Sequence, residues 1–333
     1  MNRLLSKRTN AARRIIAARR TIAACWSVGT AFGIAGCGGP AHGPRPSIVV
    51  FNAGALALPL RQALDSFAPH NGLAVSQENA GSVETVRKMT ELGRVPDVIA
   101  LADTALFSSL LPGRLAGPVV ALGTTRLVLA YTDRSRFAAE INPQNWAEVT
   151  TRPGVEVGRS DPALDPAGYR ALMAMQLAQA YYRRPGLARQ LELAASIGNM
   201  RPKSADLTAL LQTGNLDYAW EYESVALTLG LRFVSLPPEV DLGDPALAAI
   251  YGTARVEIPG AGPADPAVAK AQRRAPLVVY GAPIVFGAGV PEDAPHLKAG
   301  HRFITYLVSS EGRSIFAASG LQAVARSPAA DTR

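Results

Sequence analysis

Cysteine is almost missing from this 333-residue chain: Cys25 and Cys37 are the only two. Both fall near the start, so no disulfide framework and no thiol chemistry is expected in the body of the chain. Histidine is nearly as scarce. His42, His70, His296 and His301 are scattered without metal-ligand spacing, which argues against a zinc site. No G-x-S-x-G stretch marks a nucleophile elbow. Long apolar runs are also lacking: Thr21 to Gly36 is too short, and too small in its side chains, for a convincing membrane span.

Acidic residues are absent from the first 36 positions, whereas Arg3, Lys7, Arg8, Arg13, Arg14, Arg19 and Arg20 make a basic leader. The apolar stretch behind it closes on Ile34-Ala35-Gly36-Cys37, which matches the lipobox at which cleavage precedes a cysteine that becomes lipidated. Residues 1–36 are therefore expected to be a lipoprotein signal peptide, with Cys37 as the lipidation site. An ordinary secretory signal, with Cys37 incidental, is the alternative. Seven of the 34 basic residues and none of the 26 acidic ones precede Cys37, which leaves 27 against 26 in the remainder. The net charge of +8 thus belongs mainly to the leader, and nothing suggests a nucleic-acid-binding surface.

Residues 37–47 form a Gly/Pro-rich tether, and about three hundred residues then remain, ample for two lobes. Ser47 to Phe51 is a continuous apolar run, as in a buried parallel strand, ending in the small-residue turn Asn52-Ala53-Gly54-Ala55. A helix from about Leu58 to Phe67 and a strand from Leu73 to Gln77 follow. Val83 to Leu92 reads as a helix with Ser82 as its N-cap, then come a strand at Asp97 to Leu101 and a helix after Asp103. This strand–turn–helix alternation predicts a doubly wound α/β lobe with ligands at the carboxyl ends of its strands.

Leu127 to Tyr131 is a further buried strand, crossing towards a second lobe. That lobe holds a strand near Val155 to Val157, helices after Asp165, at Leu187 to Ala195 and at Asp206 to Gln212, and strands ending at Glu221 and Ser235. Leu236 to Asp265 reads as loops around one short strand. Pro283 to Val290 is a strand near the return crossing, and two amphipathic helices follow, at about Ala294 to Val308 and Glu311 to Ala318. The expected division is lobe 1 at 48–130 and 291–324, lobe 2 at 131–290, and a disordered tail at 325–333.

Three loop-to-helix junctions offer free N–H groups and a positive dipole end to an anion: Gly54-Ala55, Gly81-Ser82 and Asp165-Pro166-Ala167. Asp165 followed by Pro166 has the form of an N-cap with proline at the first helical position. Spacing alone leaves Asp165 a cap and Glu221 a solvated strand end, and it places Arg87 and Arg170 on helix surfaces.

The segments Phe51-Asn52-Ala53-Gly54, Gly81 to Arg87, Val128 to Thr132, Asp165-Pro166-Ala167-Gly168-Tyr169-Arg170, Arg201-Pro202-Lys203 and Tyr218-Ala219-Trp220-Glu221-Tyr222 stand in the order and spacing of one family. Together they resemble the tungstate/molybdate-binding proteins of ABC importers, in particular the archaeal-type tungstate-binding branch, over about Ile48 to Leu321. The resemblance implies a type II periplasmic-binding fold: α/β, two doubly wound lobes joined by a hinge, with a ligand cleft between them. It implies that Asp165 and Glu221 coordinate the metal of the oxyanion directly. Gly54, Ala55, Ser82, Pro166 and Ala167 would surround its oxygens through backbone and hydroxyl groups. It further implies no cofactor, an ABC permease with its ATPase as partner, and a monomer lipid-anchored at the cell envelope.

One position departs from the family pattern, which has serine where this chain has Ala55. The lost hydroxyl would cost about 1–3 kcal/mol if an oxygen were left unpaired. Two acids facing a dianion would repel it if they met only oxygen. Tungsten(VI) and molybdenum(VI) can expand from four ligands to six and sulfur in sulfate cannot, so the acid pair would discriminate against sulfate and phosphate. The alternatives are a hydrolase using Asp165 and Glu221 as acid and base, and a binder of another small anion.

Overall fold

The computed structural model describes residues 46–259 and 275–324. The signal segment, Cys37, most of the tether and the tail beyond Val324 lie outside them.

The first run of elements is β1 (Ser47–Ala53), α1 (Ala57–His70), β2 (Ala74–Ala80), α2 (Ser82–Thr90), β3 (Val98–Leu101), α3 (Ala105–Leu110) and β4 (Val120–Thr124). A second run follows: β5 (Leu127–Tyr131), α4 (Trp146–Thr150), β6 (Val157–Ser160), α5 (Pro166–Tyr181), α6 (Leu187–Ala194), β7 (Met200–Arg201), α7 (Ser204–Thr213), β8 (Tyr218–Tyr222), α8 (Glu223–Thr228) and β9 (Arg232–Ser235). The chain continues through α9 (Pro238–Asp241), α10 (Ala248–Tyr251), β10 (Arg255–Ile258), β11 (Leu277–Tyr280), β12 (Val285–Gly289), α11 (Leu297–Leu307) and α12 (Ser310–Ala318).

The strands make two five-stranded sheets, in the orders β2-β1-β3-β12-β4 and β7-β6-β8-β5-β9, and a separate β10-β11 pair. In the first sheet β1 runs parallel to β2 and β3, and β12 is antiparallel to β3 and β4. In the second, β6 runs parallel to β7 and β8, and β5 is antiparallel to β8 and β9. Apolar runs buried on both faces drive this. Ile48 and Val50 of β1, and Leu127 to Ala130 of β5, are fully excluded from water.

Strand pairing puts the crossings earlier than residues 130 and 290. β5 belongs to the second sheet and β12 to the first, so the chain crosses at Thr125-Arg126 and returns just before Val285. Both strands are unbroken apolar runs, which reveal burial but not the sheet they join. The strand expected near Val155 runs instead from Val157 to Ser160. The stretch after Leu236 holds two short helices besides β10, which pairs with β11 as an antiparallel ladder. Gly81, not Ser82, is the N-cap of α2, with Ser82 the first helical residue. Among the described residues no helix is long and apolar enough to cross a membrane.

Candidate functional site

The site is built from the starts of three helices and one strand of the second sheet. After β6 the chain turns through Asp161, whose carbonyl accepts from the N–H groups of Leu164 (3.0 Å) and Asp165 (2.9 Å). Asp165 then sits in extended backbone as the N-cap of α5, with Pro166 at the first helical position. Its Oδ1 accepts from the Ala167 N–H at 2.9 Å, so the cap is real. Its Oδ2, however, leaves the helix and accepts from the Ser204 N–H at 2.9 Å, at the start of α7. Gly168 makes this entry possible. A Cβ there would lie 2.4 Å from the Ser160 carbonyl oxygen, which no side chain tolerates.

β8 is buried along its whole length, and its side chains alternate. Tyr218, Trp220 and Tyr222 enter the large core, where Trp220 meets Trp146 edge-on at 5.8 Å. Ala219 faces the other way, into a smaller apolar cluster with Leu207 and Leu211 of α7. Glu221 shares that second face, which directs its carboxylate towards the α7 start and Ser204. Far from being a solvated strand end, Glu221 is fully buried. Its Oε1 accepts from the Tyr222 N–H at 2.8 Å. Its Oε2 is buried without a partner, and so is the Ser204 hydroxyl, which lies beside the Glu221 carboxylate but outside hydrogen-bonding geometry.

The electrostatics follow from this enclosure. Burial pushes the Glu221 carboxyl up to about 8, and the neighbouring Asp165 adds to the rise, while the Tyr222 N–H and the Ser204 hydroxyl work against it. Burial likewise raises Asp165 to about 6, against the opposing pull of the Ala167 and Ser204 N–H groups. Two acids share a dry space with no metal-binding cluster of three or more His, Cys, Asp or Glu among the described residues.

The first sheet closes over this pair. Gly54 is buried in a 3-10 turn after β1, and a Cβ on it would rest 3.4 Å from Ala205 Cβ and 3.5 Å from Lys203 Cδ, so the turn lies against the α7 start. Ala55 is half-buried and packs on the large core. The α2 start meets the loop before Asp165: Val83 and Glu84 donate their N–H groups to the Leu164 carbonyl at 3.0 and 3.3 Å. A Cβ on Gly81 would fall 2.3 Å from that same oxygen. Ser82 is fully buried, and its Oγ accepts from the Ala102 N–H at 3.0 Å, which leaves its single proton for another acceptor.

The expected residues thus assemble from both sheets, with two qualifications. The Ala167 N–H is committed to Asp165 Oδ1, and Pro166 has no N–H to give. Ser204 was not anticipated: the helix was expected to start at Asp206, and the hydroxyl directly after Arg201-Pro202-Lys203 went unread. Arg170 is corrected: it is not on the helix surface but buried, bonded to Ala102, Asp103 and Tyr222. Among the described residues, cavities of about 250–410 Å³ open on other surfaces, one of them against Asp103, Tyr169 and Arg170, and neither Asp165 nor Glu221 lines these. Size does not locate this site; the buried acid pair does.

Two α/β sheets closing helix starts and acids around a small polar core define a bilobed binding protein. The chain belongs to the bacterial extracellular solute-binding protein family, whose pattern matches residues 48–322. It is 37% identical over 274 residues to an uncharacterized solute-binding protein of Petrotoga mobilis, covering 82% of each chain. It is 32% identical over 321 residues to the molybdate/tungstate-binding protein WtpA of Pyrococcus abyssi, covering 87% of this chain and 89% of that one. Among solved structures, the periplasmic molybdate-binding protein of Azotobacter vinelandii superposes with a TM-score of 0.55 at 14% identity, over 84% of this chain and 100% of the other. The likeness establishes a type II periplasmic-binding fold. Solute-binding proteins of this kind are extracytoplasmic and work with ABC transporters.

Proposed function

We propose that this protein captures tungstate or molybdate outside the cytoplasm and hands it to an ABC permease and its ATPase. The observation that carries the reading is Glu221: fully buried in a central strand, beside a second buried acid, with Oε2 lacking a partner. An acid pair in a dry cleft repels an oxyanion that offers only oxygen, and becomes favourable when it reaches an expandable metal centre. In this reading Asp165 and Glu221 coordinate the metal. Ser82 donates its free proton to an oxyanion oxygen, the N–H groups of the Gly54-Ala55 turn line the remaining oxygens, the Ala167 N–H holds the Asp165 carboxylate in place, and Pro166 fixes the direction of the helix start. The Ser204 hydroxyl, buried beside Glu221, supplies a further side-chain donor, which Ala55 lacks. The curated relatives named for molybdate and tungstate support the same ligand. Cys37 anchors the monomeric protein to the envelope through its lipid.

Calorimetric titration of the parent with tungstate, molybdate and sulfate tests the ligand. Tight one-to-one binding of the first two and none of sulfate is expected, without turnover. The same titration on Asp165→Asn and Glu221→Gln tests the roles, each variant losing about 100-fold or more in affinity. Parent-like binding by both variants would remove the carboxylates from the coordination shell.

A further inference from the structure

The residues that join the two halves of the cleft form a chain of hydrogen bonds with Arg170 in the middle. Ser82, on the first sheet's side, accepts the Ala102 N–H at 3.0 Å. The carbonyl of the same residue, Ala102, accepts from Arg170 Nη1 at 2.5 Å. Arg170 Nη1 uses its second proton on the Tyr222 hydroxyl at 2.8 Å. Tyr222 in turn gives its backbone N–H to Glu221 Oε1 at 2.8 Å. Five residues thus link a hydroxyl on one lobe to a carboxylate on the other, the path passing through the Ala102 backbone and the Tyr222 side chain between the bonds.

Asp103 holds the middle of the chain closed. Its Oδ2 takes the Tyr169 hydroxyl at 2.5 Å and lies 3.2 Å from Arg170 Nη2, and its Oδ1 takes the Ala105 N–H at 3.0 Å. Both ion-pair partners are nearly sealed from water, with side chains 5% and 11% exposed. Asp103 and Ala102 follow β3, whereas Tyr169, Arg170 and Tyr222 belong to α5 and β8, so every bond from the first group to the second spans the lobes. Tyr222 also meets Phe286 of β12 edge-on, at 5.1 Å. When the lobes part, Arg170 can keep Tyr222 but must give up Ala102 and Asp103.

We propose that Arg170 is a positioning residue that ties lobe closure to the grip on the ligand, with Asp103 as its catch, so that this network sets the rate of ligand release. The inference rests on the cleft being the binding site. A buried ion pair carries a desolvation cost close to its Coulomb gain, so the catch contributes geometry and timing without locking the lobes shut. Its effect is expected mainly on dissociation, because changes within one interface act far more on the rate of release than on the rate of association.

Stopped-flow kinetics with tungstate, followed by a molybdate chase, tests this on the parent, Asp103→Asn and the milder Tyr169→Phe. Release is expected to speed up about 10–100-fold in the first and about 3–10-fold in the second, with association changed less than about threefold. A parent-like release rate in both variants, or equal changes in association and release, would overturn the catch. A double-mutant cycle of Ser82→Ala and Tyr222→Phe should depart from the product of the single effects on Kd by about threefold or more; strict multiplication would break the chain. A ligand-independent arm separates this inference from the identity of the cargo. Hydrogen exchange at the Val83 and Glu84 amides of the ligand-free protein should quicken in Asp103→Asn while the β5 amides hold. If the parent ignores tungstate but that exchange quickens, the cargo is wrong and the catch stands; if tungstate binds but exchange and release are unchanged, the reverse holds.

Discussion

At the scale of single residues, the acid pair makes the ligand-free protein less stable than its fold allows. Glu221 has a folded value of about 8 against an ordinary 4.5, so between those values the folded state holds a proton that the unfolded chain has lost. The contribution of Glu221 to stability is therefore greatest below about 4.5 and declines as pH rises towards 8. Glu221→Gln removes that decline: its ligand-free melting temperature should exceed the parent's at pH 8 and vary less between pH 5 and 8. A thermal series over that range checks it. Metal coordination requires the ionised carboxylate, so tungstate uptake at pH 7 should release about one proton, read from titrations in buffers of different ionisation enthalpy. Zero release would take Glu221 out of the metal's shell.

Asp165 shows what the sequence could reveal at this scale, since Asp-Pro announces a cap and the cap exists. The second bond, to Ser204, joins residues 39 apart and has no local signature. Arg170 misled for the same reason. Its partner Ala102 is 68 positions away, and an arginine in a helix reads as surface until that partner is known.

At the scale of elements, α5 carries the most demanding geometry. Eleven of its 16 residues are buried and only a narrow stripe at Gln176, Ala180 and Tyr181 reaches solvent, so it has little room to shift, and its start must fall where Asp165 faces Ser204. Gly168→Ala would drive a methyl into the Ser160 carbonyl and push the helix off β6. Chemical denaturation should show a loss of about 1–3 kcal/mol, and tungstate affinity should fall with it. Continuous apolar strands such as β1 and β5 were legible because burial on both faces leaves a composition mark. The short strands β4, β7 and β11 were not, since short or half-exposed strands carry little periodicity, although the one short strand expected between Leu236 and Asp265 exists as β10.

At the scale of the whole molecule, closure depends on how nearly two backbones can touch. Gly81 has φ −66°, a conformation open to any residue, so Gly81→Ala leaves lobe 1 itself unstrained. Its methyl would nevertheless strike Leu164 of the opposite lobe whenever the cleft shuts. The variant is expected to melt like the parent without ligand, within about 2 °C, yet to bind tungstate about 10–100-fold more weakly. Parent-like affinity would mean that the two loops stand further apart in the loaded state. The two-lobe plan was readable from the alternation of strands and helices. The crossing points were not, because hydropathy does not distinguish the sheets that a buried strand can join.

The complete enclosure of Glu221 has a consequence for traffic through the carrier. With Glu221 shut off from water, an ion held against it is expected to stay until the halves separate rather than trade places with one in the surrounding medium. A protein charged with isotopically marked cargo should keep its label through a long wash in unmarked medium, so the ion passed on at the importer is the one originally picked up.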